Sequence, residues 1–450
     1  MVGLRNRAWT TAVVALVLTL AAASGATVPL TADANRSSAP LPRVMARPDG
    51  DPNGQDAFTA PQSARHHMDT AHFRLHWTSQ TDDVTRPAFL KQAAAVFEDV
   101  WRVQIDQLAW PPPAPDGVLG GNDKIDVYFV DLDAGAYGYA AADDQSLCTA
   151  CQDAYGYLVM DNDYAGFAPD PMGALRSTAA HEFSHLVQFG IAYDAEGWAY
   201  EATAVWLEQR VYPDVDTRSQ YLADFVADPG LPLTDFSYAR GGFDRSYGAY
   251  VWNVWLSQRF GPAVVRDAWT AAATASDHML KGYDLALRRR GTSLHEELVA
   301  FVAATAAWDT GGFPSDADRY PRVKRQLELE RGTSLEIQVD HSAAFLADLT
   351  VAGDVTLSVR GPKFVAGGVA LVAASGSSVR TVIDDTLFDG SATVTLTGVD
   401  PSTRVTVVVV NADATLAEPK QSGSDLARYL FDDVDYRVGI DVDPGRLTKR

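Results

Sequence analysis

At 450 residues the chain exceeds what one hydrophobic core organises, which leaves room for two domains and a targeting segment. Apolar residues at 47 % and charged residues at 21 % describe an ordinary globular composition and exclude wholesale disorder. Lys and Arg number 37 against 58 Asp and Glu, and the resulting net charge of -21 repels nucleic acid phosphates and anionic lipid headgroups, so neither is expected as a partner.

The first residues read as a signal peptide. Arg5 and Arg7 form a positive start, residues 12–23 are apolar, and Ser24-Gly25-Ala26 has the small-residue pattern of a cleavage site. The apolar run is shorter than the ~20 residues needed to cross a bilayer, so residues 1–26 predict an exported, extracellular protein with no membrane association after cleavage. Cys148 and Cys151 are the chain's two cysteines. In an oxidising compartment they are expected to close one local disulfide, and a Cys-based zinc site or iron-sulfur cluster lacks ligands. Residues 27–65, rich in Pro, Ala, Ser, Asp and Gly with no sustained apolar period, read as a disordered linker or propeptide.

Folded structure is expected to start with the alternating pattern Phe73, Leu75, Trp77 against His72, Arg74, His76, a half-buried strand. A helix follows from Pro87, with Phe89, Ala93, Val96, Phe97, Val100 and Leu108 at helical spacing, until the prolines from Pro111 onward stop it. Further strands are predicted at 125–132 and 155–160, then helices near 172–189, 198–211, 247–260 and 294–306. Strands followed by helices make an α+β domain over 66–325. Over 326–450 short β-branched runs separated by Gly, Pro, Asp and Ser predict an antiparallel β-sandwich accessory domain.

The sharpest chemical signal is His181-Glu182-Phe183-Ser184-His185. On a helix, residues four apart share a face, so both imidazoles can reach one Zn²⁺ while Glu182 stands beside its water as general base. Zinc can lower the pKa of that water to about 7 and polarise a carbonyl, which are the requirements of peptide hydrolysis. A catalytic site needs a third protein ligand. Gln188 and Ile191 stand where the metzincin extension needs Gly and His, which excludes that class. Downstream, Glu201 is the lone charge in WAYEATAVWL, an apolar stretch in which an unpaired carboxylate is costly and zinc would neutralise it. Glu201 is therefore the expected third ligand, against the alternative of an ion pair with an Arg; Glu208, on the same face, reads as an outer-shell or salt-bridged residue.

The stretches HEFSHLVQFG and GWAYEATAVWLEQ resemble the gluzincin branch of zincin metallopeptidases, and are similar to a little-described family of secreted bacterial proteins assigned as metallopeptidases. The opening at 72–77, the Val100-Trp101 helix, the Asp126-Val127-Tyr128 strand and the segment SYGAYVW extend that likeness over residues 70–310. It implies a zincin fold, His181, His185 and Glu201 as zinc ligands and Glu182 as base. Thermolysin-type gluzincins place an Asp four residues after the ligand Glu, where this chain has Val205, so the outer shell must differ. GGFDRSYG loosely resembles the aspzincin signature, which makes Asp244 a rival third ligand; Tyr247 in the same segment could donate a hydrogen bond to an oxyanion or simply pack in the core.

Weaker candidates are set aside. His66, His67, His72 and His76 read as a strand's polar face and a disordered boundary. Asp131, Asp133, Asp143, Asp144, Asp161 and Asp163 raise a structural Ca²⁺ ion, with solvated Asp-rich turns the simpler account. The expectation is a secreted, monomeric zinc metalloendopeptidase acting on peptide or protein substrates, with an edge strand at 155–160 aligning the substrate. The competing class is a secreted or surface binding or adhesion protein with a structural or degenerate zinc site.

Overall fold

The computed structural model describes residues 16–19, 47–50, 56–132, 136–143, 154–165, 170–216, 219–236, 242–275, 278–310, 313, 320–414 and 433–447. Cys148, Cys151, Asp133 and Asp144 lie outside them. The chain forms two compact units, one of Met1–Tyr193 with Arg210–Val215 and one of Asp194–Gln209 with Asp216–Arg450. Its class is α+β, with a largely antiparallel C-terminal region.

The first unit is built on a six-stranded mixed sheet. Its strands are β1 (Leu16–Thr19), β2 (Arg65–Asp69), β3 (Phe73–Thr78), β4 (Ile125–Val130), β5 (Ala136–Ala142) and β6 (Gly156–Asp161), in the order β1-β5-β6-β4-β3-β2. β3, β4 and β6 run parallel, and β5 returns antiparallel to β6. The sequence missed β2 and β5. It also placed the aligning edge strand at 155–160, and the structure corrects this: β6 lies between β5 and β4, so its backbone groups are already paired.

Alternation divides the sheet's faces. On one, Phe73 meets Phe97 of α1 (Pro87–Trp101) with ring centroids 5.2 Å apart, and Phe183 of α2 (Pro171–Phe189) at 5.6 Å. On the other, Tyr128, Tyr139, Tyr157 and Val159 gather around Phe58. The stretch expected to be a linker therefore contributes core: Phe58, Ala60 and Ala64 are buried.

Arg47 makes that correction stronger. Its guanidinium is 8 % exposed and binds Asp116 at 2.6 Å, Asp143 at 2.7 and 2.9 Å, and the fully buried Asp126, which also accepts from His76 at 2.7 Å. The His76 ring stacks on Tyr128 at 4.4 Å instead of facing solvent. Burial is the largest influence on Asp116 and pushes it up to about 6 despite the Arg47 contact. Removing one partner of a buried ion cluster leaves charge uncompensated. Arg47→Gln should lower the unfolding free energy by about 3–5 kcal/mol in urea titrations; a loss under ~1 kcal/mol would mean that the carboxylates relax into water.

The second unit begins with helices: α3 (Gly197–Val211, of which the last two residues belong to the first unit), α4 (Ser219–Ala227), α5 (Gly242–Gly248), α6 (Tyr250–Phe260), α7 (Ala263–Ala273), α8 (Met279–Arg288) and α9 (Leu294–Thr305). The single helix expected at 247–260 is two, parted at Ala249. Two sheets follow, with β8 (Ser334–Val339), β15 (Val434–Ile440), β10 (Gly353–Arg360) and β13 (Ser391–Val399) in one. The other holds β7 (Leu327–Leu329), β9 (Ala343–Leu349), β14 (Arg404–Asn411), β11 (Gly367–Ser375) and β12 (Ser378–Asp384). Every pairing is antiparallel except β7 with β9. Ile337, Leu357 and Val438 from the first sheet share one core with Phe345, Leu371 and Val407 from the second, a sandwich-like arrangement.

The change of texture at residue 326 is a change of secondary structure without a gap in packing. β11 is buried along both faces because α9 covers its outer side. His295 Nε2 lies 2.9 Å from the Gly367 carbonyl, and Arg404 pairs with Asp309 at 2.7 Å. This double burial explains why VALVAA and VTVVVV are continuous apolar runs instead of alternating ones.

Candidate metal centre

α2 carries the His-Glu-x-x-His motif. Asp170 caps it, its Oδ1 accepting from Gly173 N at 2.9 Å, and Pro171 supplies the first helical residue without wasting an N–H. Every residue from Ser177 to Phe189 is buried, so the helix is enclosed on all sides and shows no polar stripe. Gly138 of β5 permits close approach: a Cβ there would meet Thr178 Cγ2 and the Val159 carbonyl, each at 2.9 Å. Gln104 Nε2 donates to the Ala180 carbonyl at 2.8 Å, fixing α2 just before the motif.

α3 supplies Glu201 and is held by a buried polar network within its own unit. Trp269 Nε1 donates to Thr203 Oγ1 at 3.0 Å, Asn253 Nδ2 to the Ala202 carbonyl at 3.2 Å, and Tyr283 Oη to Asn253 Oδ1 at 2.6 Å. Bonds with defined directions at the two residues after Glu201 fix the rotation of the helix about its axis, which apolar packing alone leaves looser.

His181, His185 and Glu201 are each buried, and each offers a ligand atom within 4.8 Å of the others. Among the described residues this is the one group of three or more His, Cys, Asp and Glu with such geometry. The imidazoles stand edge to face with centroids 4.7 Å apart. Burial, followed by the nearby His181, pushes the His185 pKa well below its ordinary value, so the ring is neutral, the form that binds metal. His185 Nδ1 lies 2.7 Å from Gln188 Oε1. An amide oxygen accepts only, so Nδ1 carries the proton and the Nε2 lone pair remains for a metal.

Gln188 was read from sequence only as a residue that excludes the metzincin pattern; its position three after His185, on the same helix face, was the available signal. Gln188→Ala should weaken zinc binding about 10–100-fold in chelator competition while leaving the helix intact. Equal affinity would remove Gln188 from the site.

Glu182 is buried beside the ligands in sequence, and Glu208 is buried two turns beyond Glu201. Tyr247 is buried on α5 with its ring 4.9 Å from that of Tyr221. The Asp244 side chain is outside the described residues. His72 stacks on Trp101 at 4.0 Å and pairs with Glu98 at 2.7 Å, and His66 meets Ser79 at 2.9 Å. Of the Asp residues considered for Ca²⁺, Asp143 binds Arg47, and Asp161 Oδ1 accepts from Asp163 N at 3.2 Å.

No curated protein matches the chain. Among solved structures, the pre-peptidase C-terminal domain of a collagenase from Bacillus anthracis matches at 9 % identity over 26 % of this chain and 97 % of that one, with a TM-score of 0.16. A de novo designed double-stranded β-helix matches at 6 % identity over 24 % and 99 %, with a TM-score of 0.14. A profile described as a family of unknown function, DUF6055, matches residues 46–344, more than half of the chain, and the protein belongs to that family.

Proposed function

We propose that the protein is an exported zinc-dependent peptidase with a zincin-like catalytic region. The observation that carries this reading is the buried His181, His185 and Glu201 set, within mutual reach at the helical spacing of a His-Glu-x-x-His motif. The donor set fits Zn²⁺: two imidazoles and one carboxylate make the usual three protein ligands of a catalytic site, and the Gln188 contact is the outer-shell support such histidines normally have. Bound zinc supplies Lewis-acid polarisation of a carbonyl and acidification of water.

The remaining work belongs to the chain. The Glu182 carboxylate accepts the proton of the attacking water and passes it to the leaving amine. β5 is the antiparallel strand beside α2, and β1 pairs with its outer edge. β1 lies in the expected signal peptide, so export would free that edge to pair with an extended substrate backbone. Tyr247, buried on α5, is the candidate donor of a hydrogen bond to the oxyanion.

The test is direct. Full-length secreted protein should contain about one zinc per chain and cleave members of a diverse peptide library, with cleavage lost on chelation and restored by zinc. Stoichiometric zinc without any cleavage would favour the binding-protein reading with a structural metal. Absence of zinc affinity would reject the metal centre itself.

A further inference from the structure

In the second unit the buried Arg245 of α5 forms no ion pair among the described residues. It is 3 % exposed, and its guanidinium donates through Nη1 to the Phe225 carbonyl at 2.8 Å and through Nη2 to the Leu231 and Pro232 carbonyls at 2.6 and 3.4 Å. The guanidinium carbon also lies 5.0 Å from the centre of the Phe225 ring. Its Nε–H is buried without an acceptor. Burial pushes the Arg245 pKa down to about 10, outweighing the pull of Asp235, Asp228 and Asp224 from further away. Carbonyl dipoles orient the group, but they do not cancel its charge, and an uncompensated buried charge is costly.

Arg245 lines a small cavity of about 40 Å³ bordered by α4, α5, α9 and β9. No carboxylate lines it. The other polar side chains in its wall are Thr305, whose hydroxyl donates to the Val302 carbonyl at 2.8 Å, and Ser342. Ser342 is 5 % exposed, and its Oγ is buried without a partner. Its backbone is held at φ 51°, in the left-handed region, where its carbonyl accepts from Leu233 N at 2.9 Å. Two buried donors without acceptors therefore border one cavity whose remaining walls, Leu233, Leu298 and Phe301 among them, are apolar.

We propose that this cavity is a halide site that binds chloride, received by the Arg245 Nε–H and the Ser342 hydroxyl. Charge selects an anion: the walls carry one cation and no carboxylate, and a neutral guest cannot compensate a buried charge. Size selects the halide. About 10–15 Å³ of such space holds one water, so 40 Å³ takes a monatomic ion, whereas phosphate, sulfate or a carboxylate ligand needs room for several heavy atoms. The bound ion ties the turn between β8 and β9 to α5, so occupancy stabilises the second unit. This role does not depend on the peptidase reading.

The experiment follows the thermal midpoint of the full-length protein while chloride replaces gluconate, which is too large for the cavity, at constant ionic strength and pH. The midpoint should rise by about 2–4 °C for each tenfold increase in chloride beyond half-saturation, and bromide should act likewise. Ser342→Ala removes one donor and leaves the Arg245 carbonyl bonds in place, and it should raise the half-saturating chloride concentration about tenfold. Arg245→Met should abolish the dependence. Because that variant also loses three carbonyl contacts, wild-type crystals grown in bromide supply a measurement free of any folding defect, and they should show an anomalous peak in the cavity within hydrogen-bond reach of Arg245 Nε. A midpoint indifferent to chloride would overturn the proposal. So would bromide peaks confined to the protein surface, an adventitious ion only, with water in the cavity.

Discussion

Replacing Glu182 by Gln should leave the zinc content at the wild-type level and lower kcat/KM for peptide cleavage by about 10²–10⁴-fold. The substitution conserves shape, and Glu182 is not one of the three residues whose ligand atoms converge, so the metal has no reason to leave. What changes is proton affinity: a carboxylate can take a proton from water in the transition state and an amide cannot. Because α2 is buried along this stretch, a bulkier or charge-reversed residue would confound the result with misfolding, whereas Gln fits the same space. Elemental analysis and kinetics on one preparation separate the two roles. Unchanged turnover in zinc-replete Glu182→Gln would remove Glu182 from the chemistry, and loss of zinc would make it a ligand.

Glu201→Ala should abolish zinc retention, with affinity falling by more than the ~100-fold typical of losing an outer-shell partner. Glu201 supplies the one carboxylate of the cluster, and two imidazoles alone do not complete a catalytic zinc site. A stability readout accompanies the metal readout. Zinc at 100 times its dissociation constant stabilises the wild type by about 2.7 kcal/mol, and that increment should vanish in the variant. Asp244→Ala should keep its zinc. Retention by Glu201→Ala together with loss by Asp244→Ala would transfer the third ligand to α5.

The motif helix was legible because its information is local. His181 and His185 need only the 3.6-residue period to share a face, and Asp170 with Pro171 marks the helix start within three residues of the expected boundary. Glu201 was legible for a related reason, as a lone charge in a stretch too apolar to be a surface, and it is indeed fully buried. Of the C-terminal strands, β8, β9, β10, β11, β13 and β14 announced themselves through β-branched runs, whereas β7, β12 and β15 did not. What the amino-acid order could not supply was any pairing made at a distance. AYGYAAA has little intrinsic preference for a strand, and it becomes β5 because β6 offers it a ladder of backbone partners.

Arg47 lies in a Pro- and Asp-rich stretch with every sign of a linker, and it belongs to the fold because three carboxylates, 69 to 96 residues further on, converge around it. Arg360 reads as an ordinary end of a strand until the register sets it against Arg437. Sequence by itself determined which side chains could hold a metal ion and which helices present them, since propensity and periodicity act over a few residues. Only the tertiary structure decided which sheet edge is open and which charges have partners. Those outcomes depend on burial and cross-strand register, which are set by segments far apart in the chain.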